Sequence, residues 1–178
     1  MHPRIQQAVT HLDVTRASLE QAVNDVPENS RERRPSDDRW SVAQVVQHLA
    51  MVEGRIAALL RAKWEEARAV GLGKDQATSP ITPSFDVDGL KNRSAALVAR
   101  EGSIPEPSVT SVEALKALSA SRATLRAFID DADGDDLSAV MAPHGRFGLM
   151  SVYDWLMFIG GHEARHTEQV REVGQQVA

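Results

Sequence analysis

Four stretches of this chain place an apolar residue at every third or fourth position, and that spacing restricts the fold more than any other feature. It is the period of an α-helix that buries one face. In the first stretch, from about Pro3 to Asn24, Ile5, Val9, Leu12, Leu19 and Val23 share a stripe, and Pro3 is tolerable in a first turn. The polar run "DVPENSRERRPSDDR" then ends the helix.

The second stretch starts sharply at "RWSVAQVVQHLAMVEGRI". Ser41 and Gln44 have capping-box spacing, and Trp40 precedes them as a staple. Val45, His48, Leu49, Val52, Ile56, Leu59 and Leu60 form its stripe, and Gly71 and Gly73 mark its end. Residues 74–107 are punctuated by proline and glycine, with a short helix expected in "LKNRSAALVARE". A connection this long either shapes a pocket or is a variable surface insertion. Thr110 and Glu113 cap a third helix with Leu115, Leu118, Leu125, Phe128 and Ile129 on its buried face, while Ser151 and Asp154 open a fourth that runs to near Gly174. No segment alternates with period two for long enough to be read as a strand. The expected architecture is all-α: a four-helix bundle with a long connection between helices two and three, formed by residues 1–178 as one domain.

A net charge of −5 argues against a nucleic-acid surface, which normally leaves a basic footprint. The lack of cysteine excludes disulfides and thiolate metal sites, so any metal must be held by nitrogen and oxygen. No apolar run is long enough to span a membrane, and the N-terminus lacks the features of a signal peptide. A soluble, cytoplasmic protein is expected.

The segment "GGHEARHTEQV" spells H-E-x-x-H. His162 and His166 are one turn apart and about 40° apart around the axis, so they face the same way. They continue the stripe of Trp155, Phe158 and Ile159, and His48 lies on the inner face of helix two. Two readings follow from spacing alone: three hydrogen-bonded core histidines, or three ligands of one ion. A zinc protease is rejected, because only twelve residues follow His166 and the usual downstream ligand is missing.

The blocks "RWSVAQVVQHLAMVEGRI" and "RFGLMSVYDWLMFIGGHEARHTEQV" resemble the DinB-like (DinB/YfiT-type) four-helix bundles. The matching residues are Trp40, Ser41 and His48, then Gly148, Ser151, His162, Arg165, His166 and Gln169. The resemblance implies that His48, His162 and His166 ligate a divalent metal, zinc or nickel, and that a homodimer forms. One departure is Gln44, where the family often has glutamate. The resemblance further implies a transferase that uses a low-molecular-weight thiol such as bacillithiol, mycothiol or glutathione on an electrophilic small-molecule substrate. The alternatives are a non-enzymatic metal-binding or stress-related bundle and a metal-dependent small-molecule hydrolase.

Glu163 is a candidate general base, or else a solvated or salt-bridged helix residue. Arg165 and Gln169 are expected to hold helix contacts. Arg122 is expected to reach the surface by its long stem, His144 to be exposed near a pocket, and His2 and His11 to lie on the surface.

Overall fold

A computed structural model describes residues 1–93 and 102–177. Among these residues, four long helices dominate: α1 (Pro3–Asn24), α2 (Val42–Ala69), α3 (Ser111–Asp131) and α4 (Val152–Val177). None is long and apolar enough to cross a membrane. Single 3-10 turns cover Glu28–Ser30 and Asp88–Lys91. The rest of the helix expected over 90–101 lies outside the described residues.

The capping signals form as the spacing requires. Ser41 Oγ accepts from Gln44 N, and Gln44 Oε1 accepts from Ser41 N. Thr110 and Glu113 repeat this at α3, and Asp154 accepts from Ser151 N as α4 begins. In contrast, α4 does not stop near Gly174. That glycine lets α1's outgoing chain approach: a Cβ added there would lie 2.5 Å from Val26 Cγ2. Gly160 and Gly161 likewise leave room for the side chains of His11 and Leu90.

The structure corrects the strand-free expectation. Met141–His144 (β1) and Gly148–Ser151 (β2) form an antiparallel hairpin, with Ala142 paired to Met150 and His144 to Gly148. Gly148 has φ +74°, a conformation that glycine adopts without steric cost, and His144 Nδ1 accepts from the N–H groups of Arg146 and Phe147 to close the turn. Four-residue strands are too short for alternation to stand out.

The apolar core is in two parts, with an ionic layer between them. On α1, Arg16 separates Leu12 of one cluster from Leu19 of the other. Glu53 on α2, Arg122 on α3 and Glu163 on α4 occupy the same level of their helices. Read from N- to C-terminus, α1 and α4 pass from the first cluster to the second, whereas α2 and α3 pass from the second to the first. Helices α2 and α3 therefore run in the same sense, which is why a long connection must return the chain between them.

That connection is tied down at several points. Ile81 N donates to Gln7 Oε1, Ser84 N to Asp154 Oδ1, and Arg93 forms an ion pair with Glu172. Its final residues reach back over α2, where Ser103 O meets His48.

Candidate metal centre

One nitrogen from each of His48, His162 and His166 lies within 4.8 Å of the others. The stripe on α4 brings His162 and His166 to the same face, with ring centroids 4.6 Å apart. α2 supplies His48, at 5.4 Å from His162 and 4.9 Å from His166.

Outer partners orient two of the rings. His48 Nδ1 lies 2.7 Å from Ser103 O. A carbonyl only accepts, so Nδ1 carries the proton and Nε2 keeps its lone pair. His166 Nδ1 lies 2.7 Å from Gln169 Oε1, an oxygen that also accepts from Arg93 Nη1 at 3.3 Å. Donation from arginine fixes which end of the amide faces the ring, so His166 too offers Nε2. Such hydrogen bonds behind the ring hold metal-ligating histidines in orientation. The third ring, His162, stacks on Phe158 at 5.6 Å.

Burial pushes all three imidazoles towards the neutral form that a metal requires. Desolvation is the largest cause for each; repulsion from the neighbouring rings adds to it at His162, as does His48 at His166. His162 keeps some exposure to solvent, yet its packed surroundings hold its pKa well below the ordinary 6.5. His166 is lowered to about 3. The donor set therefore fits a divalent ion: neutral, convergent, and with the coordinating nitrogens free of other partners among the described residues. Three protein ligands are one fewer than a closed structural zinc site takes.

These shifts set a stability dependence for the metal-free protein. Well above pH 6.5 the imidazoles are neutral in both states, so the shifts have no effect. Below it the unfolded chain takes up protons first, and stability falls with pH until the folded-state values are reached. Between pH 7 and 5, His166 alone removes about 2 kcal/mol. Urea unfolding of metal-free protein at pH 7 and pH 5 checks this. The loss should be smaller by about that amount in His166→Gln, and an equal loss in both proteins would contradict the assignment.

Glu163, the candidate general base, faces the ionic layer. It is 2% exposed, and its oxygens accept from Arg16 Nε at 2.7 Å, Thr15 Oγ1 at 2.8 Å and Arg122 Nη2 at 3.2 Å. Arg122 does not reach the surface. It is 9% exposed and pairs with both Glu53 and Glu163, while its Nη1 donates to Leu12 O at 2.8 Å. Burial alone would lower this guanidinium's pKa, but the two carboxylates more than offset it and the net shift is upward. A stem long enough to snorkel is retained inside because two buried carboxylates await it.

The remaining expectations divide. Gln44 is committed to the α2 cap and does not join the triad. Arg165 donates to the carbonyls of Leu90 and Asn92, and so holds the long connection against α4. His144 is only partly exposed and packs among aromatic rings beside the site. His11 is not a free surface residue: its Nε2 lies 3.1 Å from Met157 O, against Gly160. His2 approaches Asp75 at 3.8 Å.

A cavity of about 10 Å³, room for roughly one water, separates the triad from the ionic layer and is lined by His162, Glu163 and Glu53. A groove of about 650 Å³ lies between α1, α4 and the long connection and includes none of the triad. The residues that spacing missed are Ser103, in a connection without periodicity, and Arg16 and Glu53, each an interruption of an otherwise apolar stripe.

A family model described as the DinB superfamily matches residues 11–170. The uncharacterized protein YuaE of Bacillus subtilis (strain 168) is 24% identical over 148 residues, covering 82% of this chain and 83% of YuaE. Among solved structures, TT2238, a four-helix bundle protein, superposes with a TM-score of 0.61 at 19% identity, covering 94% of this chain and 98% of that one. The superposition shows a shared fold.

Proposed function

The chain belongs to the DinB superfamily, and from that premise we propose that His48, His162 and His166 hold one divalent ion, zinc or nickel, at which a low-molecular-weight thiol is activated for transfer to an electrophilic small molecule. The observation that carries the reading is the convergence of three neutral imidazoles with their coordinating nitrogens presented to a common point.

A divalent ion held by these three histidines would supply positive charge, which would lower the proton affinity of a thiol or water beside it. The protein's own groups do the rest. Ser103 O and Gln169 Oε1 hold two rings in one tautomer, and Phe158 covers the face of His162. Glu163 is assigned to the ionic layer, since guanidiniums and a hydroxyl already occupy its oxygens. In the overall reaction the thiol loses its proton to solvent, a sulfur–carbon bond forms, and the leaving group departs with its electron pair.

A second reading, a metal-binding bundle without turnover, draws on the burial of His48 and His166, which are 5% and 9% exposed. Cobalt(II)-loaded protein separates the two. The transferase reading expects a thiolate-to-cobalt charge-transfer band on adding glutathione, mycothiol or bacillithiol, and consumption of 1-chloro-2,4-dinitrobenzene only when thiol is present. A cobalt spectrum that no thiol perturbs, with no turnover, leaves the non-enzymatic reading. Turnover of esters without thiol would instead support a hydrolase.

A further inference from the structure

His166 depends on an amide for its orientation, and an amide has two ends. Gln169 Oε1 accepts from His166 Nδ1 at 2.7 Å, which leaves Nε2 with its lone pair and able to ligate. Turned over, the same side chain would present its NH2 group. His166 Nδ1 would then have to accept, and the ring proton would move to Nε2. The nitrogen offered to the ion would carry a hydrogen in place of a lone pair. The two ends of a carboxamide are alike in size and shape, so packing around Gln169 does not choose between them.

Arg93, at the far end of the long connection, makes that choice. Its Nη1 donates to the same Oε1 at 3.3 Å, while its Nε and Nη2 donate to the two oxygens of Glu172 at 3.1 and 2.9 Å. A guanidinium has donors only, so it rejects the NH2 end of the amide. Its plane is rigid, and two N–H groups seated on one carboxylate fix the direction of the third. His166, Gln169 and Glu172 follow one another at intervals of three along α4, a spacing that makes successive side chains neighbours.

We infer that Arg93 is a positioning residue of the metal centre: seated on Glu172, it fixes the Gln169 amide and, through it, the one tautomer of His166 that can ligate. The inference rests on the metal reading for its functional meaning, but the tautomer is a property of the chain with or without an ion. An opposing effect has to be weighed. Arg93 is a cation near a cation site, and its removal would by itself tighten metal binding. Glu172 offsets that charge at hydrogen-bond distance and the guanidinium is 23% exposed to screening solvent, so loss of the hydrogen bond is the larger effect.

Two measurements on the full chain test this. The first is zinc affinity, by competition with a chromophoric chelator. Arg93→Ala should weaken it about tenfold, as loss of an outer hydrogen bond does. In a Gln169→Ala background the same change should alter it less than about twofold, because Arg93 acts only through that amide. An equal loss in both backgrounds, or tighter binding in Arg93→Ala, would overturn the inference. The second is the imidazole nitrogen NMR spectrum of metal-free protein at neutral pH. Wild type should show His166 protonated at Nδ1, and Arg93→Ala a mixture of the two tautomers. His48 should stay protonated at Nδ1 in both, since Ser103 O holds it independently. A His166 spectrum unchanged by Arg93→Ala, or a change at His48 as large as that at His166, would show general loosening or no role, and either overturns the inference. In a wild type that takes up no zinc, the tautomer shift alone would still support the positioning of His166 by Arg93, while the metal reading fails.

Discussion

Glu163→Ala is expected to lower the unfolding free energy by about 3–5 kcal/mol, the usual consequence of removing one member of a buried ion pair. The size follows from what is left behind. Arg16 and Arg122 are 8% and 9% exposed, and both lean on Glu53 and Glu163. With Glu163 gone, two buried guanidiniums share one carboxylate, and Thr15 keeps only the Leu12 carbonyl as an acceptor. For a chain of this length the loss should appear as a fall in Tm of roughly 6–20 °C. Removing Arg16 in the same protein restores the charge balance. Arg16→Met with Glu163→Gln should therefore cost at least about 1 kcal/mol less than the sum of the two single changes. Had Glu163 been a solvated general base, its replacement would leave stability within about 0.5 kcal/mol and act on turnover alone. Thermal and urea unfolding of the single and double variants separate the two outcomes.

The second large effect is on metal retention. His48→Ala removes the ligand that joins α2 to α4, leaving two imidazoles one turn apart. The remaining pair can hold an ion only weakly, so the variant should purify without stoichiometric metal. Gln169→Ala acts through His166 by freeing its Nδ1, and should cost about 10–100-fold in affinity while leaving the site formed. The apo forms provide the control. Wild type should gain about 3–4 kcal/mol of stability at a metal concentration 100–1,000 times the dissociation constant, and His48→Ala should gain almost none.

Much of this organisation was legible in the residues. Ser41–Gln44 and Thr110–Glu113 announced helix starts because a capping box is local chemistry, independent of the rest of the fold. Helical geometry turns His162 and His166 inward together and puts His48 on the inner face of its own helix, while their role as a ligand set is what the family resemblance implies. Tertiary partnership was less accessible. Arg16, Glu53, Arg122 and Glu163 each interrupt an apolar face at a single position, two of each sign, and that balance was a signal of mutual burial. On its own helix, Arg122 reads as a long side chain reaching solvent, and only the partner helices supply the carboxylates that keep it inside. The hairpin was hidden by its length, although Gly145 and Gly148 around Arg146 and Phe147 are turn chemistry between two short apolar runs. Gly160, Gly161 and Gly174 report what packs against a helix, which the helix's own letters do not contain.

The most direct measurement is elemental analysis of the purified, untagged protein beside His48→Ala. The proposed metal centre predicts close to one divalent metal ion per wild-type chain and close to none in the variant, with both proteins folded. A wild type that stays metal-free after reconstitution, or a variant that retains the full complement, would contradict a metal centre built from His48, His162 and His166.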